Sequence, residues 1–391
     1  MKFVVVGFGQ CGGRIADEFA RLNRRAHAQR GIDIIAGAFA VNTDVADLSG
    51  LTGIRPDYQH RILIGGRKTG GHGVGKINEL GAEIAKEDGD KIIETIRASK
   101  RFSEADAFLL VAGAAGGTGS GAVPVIAQYI KERYVDKPIY TLIVLPFEHE
   151  EQTEERTIYN VATCLKSTYL VADAVFLVDN QRYVMKDVPI RSNLAKINAM
   201  ITEPFYNLLC AGEEKKPKYI GAKILDAGDI IQTVTGWTAI GYGKSQISFA
   251  KTLLTRTRDF RNKATEAQKG TQAMDEAISG LSLKCNPIDS KRALYLVSAP
   301  AKEMNVDLIK ELGTYLKNLA PEAIIRSGDY PRERGMLDIT VILSELSDVE
   351  KVRYYFTGTI SLIATLKKRQ EGIDSKYRGI EVTLKDIPSL L

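Results

Sequence analysis

Gly116-Gly117-Thr118-Gly119-Ser120-Gly121 packs four glycines and two hydroxyls into six residues, directly after an apolar run that begins at Phe108. A segment so rich in glycine can bring several backbone N–H groups close to one anion, and the N-terminus of a following helix points its partial positive charge at the same spot. A tight turn uses one or two glycines, so the run reads as a phosphate loop. Two more glycine clusters lie upstream, Gly7-Phe8-Gly9-Gln10-Cys11-Gly12-Gly13 and Gly65-Gly66-Arg67-Lys68-Thr69-Gly70-Gly71-His72-Gly73-Val74-Gly75. The first satisfies the Gly-x-Gly-x-x-Gly spacing of dinucleotide sites, a weak match by itself. Together the three exceed what one pyrophosphate requires. Two carboxylates, Asp226 and Asp229, stand three apart at an expected helix entrance. They suit an N-cap and a first-turn acid, worth about 1 kcal/mol or less each, or a functional pair.

These groups need a scaffold, and the chain alternates strands and helices. Residues 2–6 predict a strand, followed by the first glycine cluster and a helix to about Arg25 carrying Ile15, Phe19 and Leu22 on its apolar face. Residues 34–41 form a second expected strand that ends in Asn42-Thr43-Asp44, and residues 62–64 a third, leading through the second glycine cluster to a helix with Leu80, Ile84 and Ala85. Residues 108–111 are apolar on both faces, as in a strand covered by helices on each side, and helical spacing resumes over 122–132. Strands at 139–145 and 174–178 end in Pro146-Phe147-Glu148-His149-Glu150 and Asp179-Asn180-Gln181-Arg182. In an open parallel sheet, ligands sit beyond the carboxyl ends of the strands, where these loops meet. Residues 194–209 have helical spacing through Leu194, Ile197, Ile201, Phe205 and Leu208. The remainder reads as a smaller α+β unit. Its strands are expected at 237–242, 293–299, 337–343 and 379–384, its helices at 306–319 and 349–356, with mostly polar helix and connection over 253–286.

Composition bounds the function classes. The 391 residues are 44% hydrophobic and 26% charged, the balance of a globular protein of about two domains, and no apolar run approaches a membrane span. Met1-Lys2 leads straight into apolar residues without a signal-peptide pattern, so a cytoplasmic location is expected. The four cysteines and four histidines show no paired spacing, which argues against a metal cage or a disulfide framework. The net charge of +5 is dispersed along the chain, so nucleic acid is not the expected partner.

The order and texture of these segments resemble the tubulin/FtsZ superfamily, most closely its archaeal tubulin-like branch, CetZ. Gly9-Gln10-Cys11-Gly12 is similar to the first nucleotide loop of tubulin, Ala40-Val41-Asn42-Thr43-Asp44 to the second loop of FtsZ, and Gly116-Gly117-Thr118-Gly119-Ser120-Gly121 to the superfamily's signature loop. The resemblance spans Phe3 to about Val382. It implies an α/β fold in which a Rossmann-like parallel-sheet GTPase domain (residues 1–190) is joined by a long central helix and connection (191–221) to a smaller α+β domain (222–391) that carries the catalytic loop at its start. It implies GTP and GDP as ligands, Mg²⁺ as the accompanying ion, and self-association head to tail. By resemblance, Gly9, Gln10, Cys11 and Gly12 line phosphates and ribose, and Asn42 and Asp44 belong to the second loop. Gly70, Gly71, His72 and Gly73 close over the γ-phosphate, and the loop of Gly116, Gly117, Thr118, Gly119, Ser120 and Gly121 wraps the phosphates, with Gly117 to Ser120 cradling α and β. Asn180 and Asn198 face the guanine, whose mixed edge an amide matches. Glu150, or its neighbour Glu151, reaches the ribose, and Asp226 and Asp229 reach the nucleotide of the adjoining subunit. The chain departs from the family pattern at Leu194, where an aromatic usually stacks on the base, at Arg14 in place of a small amide, and at Ile224 in place of another amide. Nothing like the adaptor-binding tail of FtsZ follows Leu384, so partners that read that tail are not expected. Two other readings remain at this stage: a dinucleotide-dependent oxidoreductase with Asp44 on the ribose, and a nucleotide-binding filament protein that hydrolyses little. For the CetZ branch the resemblance implies control of cell shape.

Overall fold

The computed structural model describes residues 1–184, 190–246, 260–333 and 336–363. Its parallel half follows the expected alternation: β1 (Phe3–Phe8), α1 (Gly9–Arg30), β2 (Ile35–Asn42), α2 (Val45–Ser49), β3 (Arg61–Leu63), α3 (Gly66–Thr69), α4 (Asn78–Glu87), α5 (Gly89–Arg97), β4 (Ala107–Gly113), α6 (Thr118–Arg133), β5 (Ile139–Leu145), α7 (Glu148–Thr153), α8 (Glu155–Val171) and β6 (Ala174–Asp179). Then come α9 (Ile190–Ala211), α10 (Ala227–Thr233), β7 (Gly236–Gln246), α11 (Phe260–Ser279), β8 (Ser290–Ala299), α12 (Val306–Leu319), β9 (Ile324–Pro331) and β10 (Met336–Leu346). Residues 350–363 are also helical.

The strands form one sheet in the order β3-β2-β1-β4-β5-β6-β7-β10-β8-β9. Pairing is parallel from β3 to β7, β10 runs antiparallel between β7 and β8, and β9 closes the far edge parallel to β8. Side chains alternate across the sheet: Val4, Val6 and Phe8 enter one core with Phe108 and Leu110, while Phe3 and Val5 enter the other with Leu109 and Val111. Both faces are covered, which is why these strands read as unbroken apolar runs. The second core holds α9, whose Ile197, Ile201, Phe205 and Leu208 are buried as its periodicity requires. Phe205 is its hub, edge-on to Phe19 of α1 at 5.4 Å and to Phe176 of β6 at 5.3 Å between ring centroids.

Several elements depart from the sequence expectation. The helix expected from residue 122 begins at Thr118, so four of the six residues of the glycine-hydroxyl run are already its first turn. Its glycines serve packing as well as ligand access: a Cβ on Gly121 would run into the Asn78 carbonyl of α4. Strand β9 went unread because Ile-Ile-Arg-Ser-Gly-Asp-Tyr-Pro is half polar and ends in proline, a composition that an edge strand tolerates. Helices α5 and α8 were likewise passed over. The strand expected at 379–384 lies outside the described residues.

Replacing Phe205 by alanine opens a cavity between three elements and is expected to cost roughly 3–5 kcal/mol. Tyr58→Ala, at a site 82% exposed, should change stability by less than about 0.5 kcal/mol. Denaturant midpoints of the two variants measure the contrast.

Candidate functional site

The carboxyl ends of β1, β4, β5 and β6 open onto a cavity of 860 Å³, within the size range of cofactor sites. Helices α1 and α6 both point their N-termini into it. Gly9 takes φ +67°, a conformation that costs glycine nothing, and a Cβ built there would stand 3.1 Å from the Gly119 backbone nitrogen, so the two helix starts abut. Neither helix has a side-chain N-cap and neither carries an acid in its first turn. Their free N–H groups and positive dipole ends therefore face one volume with no internal anion to satisfy them. Gly12 keeps α1 against the sheet, since a Cβ there would strike the Val111 carbonyl, and Thr43 Oγ1 meets Thr118 Oγ1 at 2.6 Å, tying β2 to α6.

The walls are held by acids that already have partners. Asp47 accepts from Gln10 Nε2 at 2.7 Å and from Asn42 Nδ2 at 3.1 Å, so one carboxylate fixes two lining amides. Asp44 accepts the Asp47 N–H at its Oδ1, 3.0 Å, as the cap of α2. Glu150 accepts the Phe147 N–H at 2.9 Å, turning the loop after β5 into α7. Glu151 faces away, bonded to Tyr355 and 3.3 Å from Lys351 Nζ. Asn180, Leu194 and Asn198 line the far wall, near the stacked rings of Phe147 and His149, which lie 5.6 Å apart. Cys11 also lines the cavity. Burial, with Glu150 adding and Arg14 opposing, pushes its thiol up to about 12, so it stays protonated at neutral pH.

Of the residues expected at the site, the structure brings Gly9, Gln10, Cys11, Asn42, Asp44, Gly73, Gly116, Gly117, Thr118, Gly119, Glu150, Asn180 and Asn198 into this wall. Others stand outside it. Gly12 is spent on helix–sheet packing. Gly70, Gly71 and His72 fold onto α2, with Val45 N–H donating to the Gly71 carbonyl at 3.0 Å and His72 bridged to Asp44. The Ser120 hydroxyl turns back to the Gly116 carbonyl, and Gly121 faces α4. Asp226 and Asp229 are absent from the wall as well. Asp226 is the N-cap of α10, its Oδ1 accepting the Asp229 N–H at 2.9 Å, and Asp229 Oδ1 accepts from Arg326 Nη1 of β9 at 2.8 Å. Sequence reasoning missed Asp47 and Lys76, both of which line the cavity. Asp47 had a signal, since it stands three residues after a strand-ending Asp44, at the spacing of a capped first turn.

The donor set fits a nucleotide: uncapped helix N-termini for phosphates, open space where a Gly116 Cβ would stand, and amides at the far wall. Among the described residues no group of three His, Cys, Asp or Glu could hold a metal ion. Among the described residues no helix is long and apolar enough to cross a membrane.

Comparison with known proteins agrees with this geometry. Residues 2–185 match the Tubulin/FtsZ family GTPase domain and residues 188–359 the C-terminal domain of tubulin-like CetZ. The chain is 33% identical to the tubulin-like protein CetZ1 of Haloferax volcanii over 90% of each chain, and 27% identical to CetZ of Pyrococcus abyssi over 99% of this chain and 97% of that one. Among solved structures it resembles GDP-bound monomeric CetZ1 of Haloferax volcanii (TM-score 0.79, 29% identity, 93% of this chain and 99% of that one). It also resembles the GTPγS-bound protofilament of CetZ2 from that organism (TM-score 0.80, 27% identity, 94% of this chain and 100% of that one). The oxidoreductase reading of the first glycine cluster gives way to this match. The chain belongs to the tubulin-like CetZ family of cytoskeletal GTPases, with the tubulin/FtsZ fold.

Proposed function

We propose that this chain binds GTP in the cavity, polymerises head to tail, and hydrolyses GTP at each junction with Asp226 and Asp229 supplied by the next subunit. The observation supporting this reading is a distance. Helix α9 lines the cavity at Asn198, and Gly212, just past its end, abuts Leu225 and Asp226. From Asn198 to Ala211 a helix rises about 20 Å. A group that polarises water must come within about 3 Å of it, so acids held that far off serve a different nucleotide from the one above them. A contact that joins one end of a subunit to the opposite end of the next does not close, and it generates a filament.

In this scheme residues 1–190 are the nucleotide unit, 191–221 the connection and 222–391 the unit that carries the acids forward. The N–H groups of Gly9, Gln10, Gly117, Thr118 and Gly119 hold the phosphates, Gly73 borders the γ-phosphate, and Asn180 and Asn198 read the guanine edge. Leu194 offers the base an apolar surface in place of an aromatic one. Asp44, with Oδ2 beside Gly73, would hold the nucleotide's Mg²⁺, which supplies charge neutralisation at the transferring phosphoryl group. Arg326 holds the Asp229 carboxylate in place. Control of cell shape by cytoplasmic filaments is the cellular task we assign.

Phosphate release from GTP and pelleting should begin together at one protein concentration; pelleting without phosphate release identifies a filament that hydrolyses little, and phosphate release that is linear from high dilution contradicts the shared site. Asp229→Ala should remove most hydrolysis while GTP binding and pelleting persist. Its half-buried ion pair with Arg326 contributes about 1 kcal/mol, and circular dichroism of the variant separates a fall in turnover from a folding defect. Turnover near wild type under assembling conditions would remove Asp229 from the mechanism.

A further inference from the structure

A second chamber, of 130 Å³, lies between α1, α9 and the paired strands β7 and β10. Its wall carries three cations, Arg25, Lys244 and Arg332, against two carboxylates, Glu203 and Asp338. Arg332 is 7% exposed and Asp338 8%. Arg332 Nη1 donates to Asp338 Oδ2 at 3.2 Å and to Asn207 Oδ1, and Asn207 Nδ2 donates to that same Asp338 oxygen at 3.4 Å. Arg25 lies with its guanidinium carbon 3.7 Å from the centre of the Tyr206 ring and Nη2 2.9 Å from Glu203 Oε2. Four atoms stay unmatched: the Nε–H and Nη2 of Arg25, the Nε–H of Arg332 and Asp338 Oδ1 are buried without a hydrogen-bond partner among the described residues, that Nη2 being ion-paired with Glu203.

An unpartnered buried polar group is costly, more so when charged, and these four belong to residues that line one small volume. The guest they call for accepts hydrogen bonds from two arginines and donates one to a carboxylate. Burial and the Asp338 carboxylate, toward which its O–H is directed, push the Tyr242 hydroxyl above its ordinary value, so it stays protonated at the same wall. The volume equals about four waters, enough for one tetrahedral oxyanion and too small for a nucleoside.

We propose that this chamber binds one inorganic phosphate in its hydrogen-bearing form, the Nε–H groups of Arg25 and Arg332 donating to its oxygens and Asp338 Oδ1 accepting its O–H. Sulfate has the same shape but no proton at neutral pH, so it would set an oxygen lone pair against the Asp338 carboxylate; the chamber therefore prefers phosphate. The bound ion bridges α1 and β10 beside α9. The inference does not depend on the chain hydrolysing GTP.

Calorimetric titration of the full-length protein, first saturated with GDP to fill the nucleotide cavity, with potassium phosphate and separately with potassium sulfate tests it. One saturable phosphate site is expected, with sulfate weaker by about tenfold or more. Arg25→Gln should weaken phosphate by a similar factor, and Asp338→Asn should narrow the preference between the two ions. Arg25 is 35% exposed on its side chain, so Arg25→Gln is expected to fold, and circular dichroism checks this. No saturable phosphate binding, an unchanged titration in folded Arg25→Gln, or equal affinity for sulfate would each overturn the proposal, water then filling the chamber. If the protein takes up no GDP, the nucleotide reading fails by itself, and the difference between wild type and Arg25→Gln still reads the phosphate site.

Discussion

Two helices of like polarity start side by side, Gly9 against Gly119, without a capping side chain or a first-turn acid between them. Adjacent positive dipole ends repel and leave N–H groups unsatisfied, an arrangement that an anion relieves. The surrounding structure enforces it. Gly12 lets α1 press onto β4, Gly121 lets α6 press onto α4, and the Thr43–Thr118 contact fixes β2 to the same helix start. A β-carbon at Gly9, Gly12 or Gly121 would separate the two N-termini or strain the backbone that joins them, so the anion site and the parallel core are one construction.

Helix α9 carries that construction across the molecule. It is anchored on Phe19 and Phe176 through Phe205, it borders the cavity at Leu194 and Asn198, and it ends beside the turn bearing Asp226. A rigid helix buried along one side transmits a displacement at one end to the other more readily than a loop does, because a packed core resists continuous deformation. The phosphate chamber proposed between Arg25 and Arg332 flanks the middle of this helix, at Glu203 and Tyr206.

What the sequence disclosed followed from local physics. The unbroken apolar runs of β1 and β4, buried on both faces, the apolar face of α9 and the density of glycine at residues 116–121 are all set by near neighbours in the chain, and each was readable. What it concealed depends on distant partners. Asp47 acquires its role from Gln10 and Asn42, which only the fold brings to it, and the Ser120 hydroxyl finds a carbonyl in its own turn. Gly71 and His72 meet Val45 and Asp44 at the start of α2, contacts that the glycine spacing does not announce. Asp226 and Asp229 read both as helix cap and as functional acids, and the cap is what a single subunit displays. Arg25 and Arg332 share a chamber although each looks like an ordinary surface charge in sequence.

The central claim, a catalytic site split between two subunits, is tested most directly by complementation. Asp229→Ala lacks the acid and Gly116→Val fills the open space of the cavity, so neither should hydrolyse GTP alone. Mixed in equal amounts under assembling conditions, they should recover up to about a quarter of wild-type turnover, the fraction of junctions at which an intact cavity meets an intact acid in a randomly mixed head-to-tail filament. A mixture that stays as inactive as its components while it co-pellets would contradict the split site.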